Sequence, residues 1–125
     1  MMEEKKRLSD AELAVMLSIW AHGGEVARGD IESALAPHNW TANTINTYLT
    51  RLCDKGYLSA RREGRGNLYT ALVDREDYMK YDSRETLGRL YDGSVTHFVA
   101  ALCAEKPLEQ SEIDALRRYL DELSR

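Results

Sequence analysis

Apolar residues recur with a helical period near the start of the chain. Ser9 and Glu12 form a capping box, in which a hydroxyl and a carboxylate satisfy free backbone amides at a helix start. The glycines at positions 23–24 supply a helix exit. An amphipathic helix is therefore predicted between them, with apolar positions spaced i, i+3, i+4 and i+7. These positions are Leu13, Met16, Leu17 and Trp20.

Two shorter helical patterns follow the first. One covers residues 28–36 and ends there because proline, here Pro37, disfavours helical backbone in the residue before it. In the other, Thr41 is a good N-cap for a third helix that runs to Lys55. The inward stripe predicted for this third helix consists of Ile45, Tyr48, Leu49 and Leu52.

The pattern then changes from helical to extended. Residues 57–63 and 68–72 are rich in aromatic and aliphatic residues, and the segment 64–67 between them contains two glycines, so we predict a β-hairpin. Three short helices followed by a hairpin is the element order of a winged helix-turn-helix. The expected fold is mainly α with a small β-hairpin, and residues 1–73 would form the DNA-binding domain.

The remaining chain, residues 74–125, is predicted to be an α-helical dimerisation domain. A helix over 74–91 is followed by a break at 92–94, and two helices with narrow apolar stripes come next. So few residues cannot bury both stripes internally. An isologous dimer would bury them, although packing onto the winged helix is the alternative. The predicted interface residues are Val95, Phe98, Val99, Leu102, Ile113, Leu116, Leu120 and Leu123.

Charge is unevenly distributed along the chain, whose formal net charge is −4. Residues 41–70 carry five basic and two acidic side chains, whereas the acidic excess lies in the C-terminal part. This is the local pattern of a nucleic-acid contact on an otherwise acidic protein. The sequence shows no membrane-spanning stretch and no signal-peptide pattern, so we expect a cytoplasmic protein without membrane insertion.

The outer face of the third helix is the strongest functional feature. A major groove admits one α-helix, and its base edges pair with short polar side chains and with arginine. Threonine and asparagine are mediocre helix formers, and a merely solvated face more often carries Glu, Lys and Gln. The predicted DNA-binding residues of this helix are Thr41, Ala42, Asn43, Thr44, Asn46, Thr47, Thr50 and Arg51.

Three arginines of the hairpin, Arg61, Arg62 and Arg65, surround its glycine turn and are predicted to contact phosphates. Such contacts position a protein on DNA without specifying sequence.

The two cysteines, Cys53 and Cys103, lie far apart and match no metal or disulfide motif. The histidines lack a catalytic pattern. We therefore expect no enzyme activity, no cofactor and no metal site.

Taken together, these residues resemble the penicillinase and methicillin-resistance repressors, a family of winged-helix regulators. The specific match is the third-helix segment 40–52, and weaker matches occur in order at 8–12, 55–58, 64–65 and 91–94. The resemblance implies a dimeric repressor of a β-lactam-resistance or related operon, with TACA/TGTA-type half-sites. The family's DNA-contacting positions correspond to Thr41, Asn43, Thr44, Thr47, Arg51 and Arg65. Position 43 is often lysine in the family.

The resemblance also implies induction by proteolysis. In the family, a membrane-bound sensor metalloprotease triggers cleavage in the penultimate helix, at a bond that aligns with Ala101–Leu102. Familiar members have Asn-Phe there, so this chain departs from the pattern. Copper-responsive relatives carry a cysteine-rich C-terminal motif, of which Cys103 alone is present here.

The sequence leaves two other functions open. A winged helix can serve as a protein-interaction module, which would show no salt-dependent DNA binding. A regulator that responds to a small molecule is the second alternative. Its pocket would be lined by aromatic residues, although aromatics at helical spacing are more often part of a core. The candidate lining residues are Trp40, Tyr78, Tyr81 and Tyr91.

Overall fold

The computed structural model describes residues 7–125 and forms two compact units. The first ends at Asp82 and the second covers Ser83–Arg125. A 3₁₀ turn at Ala36–His38 separates the second and third helices. The elements in chain order are α1 (Asp10–His22), β1 (Val26–Ala27), α2 (Arg28–Ala34), α3 (Ala42–Asp54), β2 (Leu58–Glu63), β3 (Gly66–Ala71), α4 (Arg75–Tyr91), α5 (Val95–Cys103) and α6 (Gln110–Leu123).

Helix α1 begins at the predicted capping box. Glu12 N donates to Ser9 Oγ over 3.2 Å, and Ser9 N donates to Glu12 Oε1 over 2.9 Å. The predicted buried stripe was wrong in part, because Leu17 is 41% exposed. The helix is apolar on most of its circumference, so a second stripe with the same spacing can face the core instead of the predicted one. The buried members of that stripe are Glu12, Val15, Met16 and Ile19.

The predicted hairpin is confirmed, and it forms part of a three-stranded antiparallel sheet in the order β1-β3-β2. Its turn contains Gly64 with φ +58°, a conformation that glycine adopts at little cost. The two-residue strand β1 pairs Val26 with Tyr69 and was not predicted. A strand of two residues is too short to show the alternation by which strands are recognised.

Helix α2 ends at Ala34, two residues before the predicted end, and the 3₁₀ turn takes over the segment around Pro37. Asn39 then adopts the left-handed conformation with φ 57°, which asparagine tolerates better than most residues. The N-cap role of Thr41 is confirmed. The predicted inward stripe of α3 is buried except for Tyr48, which is half-buried.

One hydrophobic core holds the first unit together. It contains Tyr57, fully buried, and Tyr78, 3% exposed, which comes from the first turns of α4. Tyr78 Oη accepts a hydrogen bond from Leu8 N over 3.0 Å, and its ring packs against Tyr57. The first unit therefore extends beyond residue 73, because α4 supplies a core aromatic to the winged helix. The winged helix-turn-helix expected from the sequence is confirmed.

The second unit contains the end of α4 together with α5 and α6. Asp92 and Gly93 both have positive φ angles and turn the chain after Tyr91, whose ring meets Phe98 edge-on at 5.3 Å. Ser94 Oγ caps α5 by accepting from His97 N over 3.0 Å. No residue between positions 83 and 125 is buried in the isolated chain. Among the described residues, no helix has the length and apolar character needed to cross a membrane.

Candidate nucleic-acid interface

Helix α3 presents two chemically different faces. Its inner face is fixed by Ile45, Leu49 and Leu52, which are 4%, 1% and 0% exposed. The opposite face is polar, and Thr44 at its edge is half-exposed. Burial of the inner stripe therefore dictates which side chains reach solvent. The exposed members of the predicted DNA-binding set on this helix and its cap are Thr41, Ala42, Asn43, Asn46, Thr47, Thr50 and Arg51.

The start of α3 is organised by threonine hydroxyls. Thr41 Oγ1 accepts from Thr44 N over 3.1 Å, and the two hydroxyl oxygens lie 3.0 Å apart in a second hydrogen bond. Thr47 Oγ1 donates to Asn43 O over 3.0 Å, which fixes the Thr47 side chain on the helix surface. An exposed threonine methyl fixed in this way is suited to apolar contact with a thymine methyl.

Arg28 lies beside this polar face, and the sequence pattern did not predict it. From the first residue of α2, Arg28 Nη1 donates to Asn46 Oδ1 and Nη2 donates to Ala42 O over 3.0 Å. Glu32 Oε2 lies 3.5 Å from Nη2. A single arginine at a helix start has no periodic signal, so its position beside α3 follows from the tertiary fold alone.

The aromatic turn before α3 fixes where the helix begins. Trp40 stacks on His38 with ring centroids 4.3 Å apart, and Tyr48 meets the Trp40 ring edge-on at 5.1 Å. Stacked and edge-on arrangements at these separations are favourable beyond simple burial. Trp40 is therefore a packing residue of the turn, and Tyr78 is a residue of the core. The ring centroids of Tyr81 and Tyr78 lie 6.1 Å apart, and Tyr81 packs on that core.

A nearly buried ion pair fixes the other end of α3. Lys55 Nζ lies 2.6 Å from Glu12 Oε1, and Glu12 is 2% exposed. Burial raises the pKa of Glu12, but hydrogen bonds from Lys55 and Ser9 outweigh it and hold that pKa below its usual value. The ionised pair thus ties the start of α1 to the end of α3.

The hairpin formed by β2 and β3 is the wing of the fold. Its three arginines that are predicted to contact phosphates have different surroundings. Arg61 Nε lies 2.5 Å from Glu25 Oε2, and Arg61 Nη1 lies 2.5 Å from Glu63 Oε2. The hydrogen bonds that Arg61 donates, first to Glu25 and then to Glu63, raise the pKa of Arg61 further above its already high value. Arg62 and Arg65 form no ion pair within the described part of the chain. Two carboxylates offset the charge of Arg61, whereas Arg62 and Arg65 keep theirs available.

The predicted dimerisation stripes are largely solvent-exposed in the isolated chain. On α5, Val95 is 62% exposed and Leu102 is 57% exposed, while Val99 is half-buried. On α6, Leu123 is 63% exposed and Ile113 is half-buried. The other exposed members of the two stripes are Phe98, Leu116 and Leu120. Ala101 and Leu102, the candidate cleavage bond, both lie exposed near the end of α5.

The fold and the polar face of α3 together define a winged helix-turn-helix DNA-binding regulator. Within residues 7–125, no group of three or more His, Cys, Asp or Glu side chains is placed to hold a metal ion. A sequence model of the penicillinase repressor family matches residues 8–122. The chain belongs to that family.

Known relatives support the assignment at the level of sequence and structure. The chain is 35% identical over 121 residues to the penicillinase repressor of Bacillus licheniformis, covering 97% of this chain and 94% of that protein. It is 30% identical over 114 residues to the methicillin resistance regulatory protein MecI of Mammaliicoccus sciuri, covering 91% and 93% of the two chains.

Two solved structures resemble part of this chain. The DNA-binding domain of the repressor BlaI is 39% identical with a TM-score of 0.52, covering 59% of this chain and 93% of that one. Monomeric BlaI of Bacillus licheniformis in complex with the blaP half-operator is 39% identical with a TM-score of 0.50, covering 58% and 89%.

Proposed function

We propose that this protein is a transcriptional repressor that binds palindromic operator DNA as a homodimer. The observation that carries the proposal is the exposed Thr/Asn/Arg face of α3, which is opposite a stripe buried to 4% exposure or less. An α-helix of this kind fits the major groove, where base edges carry sequence information. The relative whose structure includes a half-operator has the same fold in this region.

In this proposal α3 reads the bases and the wing binds the backbone. Asn43, Asn46 and Thr47 supply amide groups and a methyl group to base edges, with Thr44 and Thr50 beside them. The helix start at Thr41 and Ala42 directs free backbone amides at a phosphate. The cationic groups for phosphate contact are Arg51, Arg62 and Arg65, with a smaller contribution from Arg61 because carboxylates offset its charge.

Dimerisation is inferred from the second unit. A helical unit with no buried residue has no core of its own, so its exposed stripes on α5 and α6 need a partner surface. A second copy of the same unit provides a self-complementary one, and twofold symmetry matches a palindrome. The interface would be centred on Phe98 and Leu116, which are 38% and 40% exposed in the isolated chain.

The regulated operon is proposed to be one of β-lactam resistance or a related response, as the names of the relatives suggest. The protein would act in the cytoplasm. Relief of repression by a membrane-bound sensor metalloprotease would require cleavage at Ala101–Leu102. Both residues are exposed, and a cut there would remove α6 from the dimer.

Fluorescence anisotropy with a labelled TACA/TGTA palindrome and a scrambled duplex, across a salt series, tests the proposal. We expect tighter binding to the palindrome, with the logarithm of affinity falling linearly with the logarithm of salt concentration. Thr47→Ala should weaken binding to the palindrome by about 5-fold or more, because it removes the methyl and the hydroxyl. Arg51→Ala should weaken binding to both duplexes and reduce the salt slope.

Thr47→Ser is the matched control for the methyl contact. It keeps the hydroxyl that donates to Asn43 O and removes only the methyl. It should weaken palindrome binding like Thr47→Ala if the methyl is read. Equal, weak binding of the unmodified protein to both duplexes, together with failure to select any sequence from random DNA, would contradict the proposal and favour a protein-interaction module.

A further inference from the structure

We propose that Arg28 is a specificity-determining residue, which orients the Asn46 amide so that Asn46 selects guanine over adenine. This inference rests on the proposed DNA-binding function. Arg28 begins α2, outside the helix expected to enter the groove, yet both of its terminal nitrogens donate to α3. One donates to the Asn46 side chain and the other to the backbone of Ala42.

The chemistry of the guanidinium group fixes which end of the Asn46 amide faces it. Arginine carries five N–H donors and no acceptor, so its partner on Asn46 must be the amide oxygen Oδ1. The amide nitrogen Nδ2 consequently lies on the other side of the planar group. Nδ2 has no hydrogen-bond partner among residues 7–125, and Asn46 is exposed. Asn46 therefore presents two donors outward, while Arg28 engages one of the two lone pairs of Oδ1.

This orientation changes what Asn46 can recognise. An asparagine that pairs bidentately with adenine needs both its oxygen, to accept from N6, and its nitrogen, to donate to N7. Arg28 leaves Oδ1 only one lone pair for the N6 donor of adenine, whereas both outward donors remain available for the two acceptors of guanine, O6 and N7. A guanidinium beside the amide also disfavours the N6 donor of adenine. Guanine is therefore the expected partner of Asn46.

The surroundings of Arg28 separate this role from simple fold stabilisation or phosphate binding. Its side chain is 23% exposed and its guanidinium is engaged by Asn46, Ala42 and Glu32 at once. Its Nε is buried without a hydrogen-bond partner in the described residues, which costs free energy. The two hydrogen bonds that Arg28 donates both reach the first turns of α3, where bases are read.

The test compares base preferences of the full-length protein and its variants. Sequences bound by the unmodified protein, Arg28→Ala and Asn46→Ala are selected from random DNA, and anisotropy then measures affinity for each single-base-pair change. We expect Asn46→Ala to abolish a guanine preference at one base pair of each half-site. Arg28→Ala should shift that same position towards adenine by about 5- to 150-fold in relative affinity. Arg28→Met, which keeps the aliphatic stem, gives the same readout without a packing defect.

Two controls make the outcome specific. Glu32→Ala removes the carboxylate beside Arg28 but leaves both donations to α3, so the preference should persist. In an Asn46→Ala background, Arg28→Ala should cause no further change at that base pair. An equal loss of affinity for every sequence with a smaller salt slope would make Arg28 a phosphate contact and overturn the inference alone. Failure of the unmodified protein to select any sequence would overturn the proposed function as well.

Discussion

The ion pair between Glu12 and Lys55 predicts a stability whose dependence on pH changes when Lys55 is removed. Glu12 is 2% exposed, whereas the Lys55 side chain is 24% exposed. Removing one partner of a fully buried pair costs about 3–5 kcal/mol. Because water reaches Lys55, we expect Lys55→Ala to lower the free energy of unfolding by about 3 kcal/mol at neutral pH, the lower end of that range.

The direction in which stability changes with pH follows from the pKa of Glu12. In the unmodified protein this pKa is depressed, so the ion pair stabilises the fold above the unfolded pKa of about 4.3 and is lost as pH falls through the lower folded pKa. Without Lys55, burial is opposed only by the hydrogen bonds with Ser9, so we expect the pKa of Glu12 to rise relative to the unmodified protein. The penalty of Lys55→Ala is then present above that raised pKa and is relieved as pH falls through it.

Urea denaturation followed by tryptophan fluorescence measures this effect, because both tryptophans, Trp20 and Trp40, lie in the first unit. The difference in unfolding free energy between the unmodified protein and Lys55→Ala should shrink as pH falls from neutral through the Glu12 pKa of the variant towards the lower Glu12 pKa of the unmodified protein. Glu63→Gln is the control. It removes one partner of an exposed ion pair with Arg61 and should leave the unfolding free energy nearly unchanged at each pH in that range. A pH-independent difference for Lys55→Ala would refute the reasoning.

Three further changes test other parts of the structure. Thr41→Ala removes the cap of α3 and should lower the unfolding free energy by about 1 kcal/mol in urea denaturation, while Thr41→Ser should restore most of it. Phe98→Asp should convert the proposed dimer to a monomer in sedimentation equilibrium, whereas Thr96→Asp, an exposed polar position on α5, should not. An unchanged mass for Phe98→Asp would refute the proposed interface. Arg62→Ala should reduce the salt slope of DNA binding by about one, and Arg61→Ala by less, because Glu25 and Glu63 already offset that charge. Equal salt slopes for the two variants would contradict the claim that the two carboxylates offset the charge of Arg61.

Local patterns were sufficient to predict the order of the helices and of the two hairpin strands. The capping box at Ser9, the cap at Thr41 and the glycine turn at Gly64 each fix a boundary through short-range chemistry. The buried stripe of α3 followed from its spacing alone, and with it the exposed polar face. These features depend on residues within a few positions of one another, which is why they are visible in a single sequence.

The features that were missed depend on residues far apart in the chain. The buried face of α1 includes Glu12, and a carboxylate is an unexpected choice for a core until Lys55 is placed beside it. Tyr78 joins the core of the first unit through a hydrogen bond with Leu8, seventy positions away. Arg28 on α2 donates a hydrogen bond to Asn46 on α3. Periodicity carries no information about such pairings, so the structure was needed to find them.

The spacing between half-sites tests the central claim most directly. Anisotropy is measured with the selected palindrome and with a duplex in which about five base pairs, half a helical turn, are inserted at its centre. A homodimer with a twofold axis should bind the first duplex as two chains at once and lose most of that affinity on the second, since the half-sites then face opposite sides of the helix. Equal affinity for both duplexes would contradict recognition of a palindrome by a dimer.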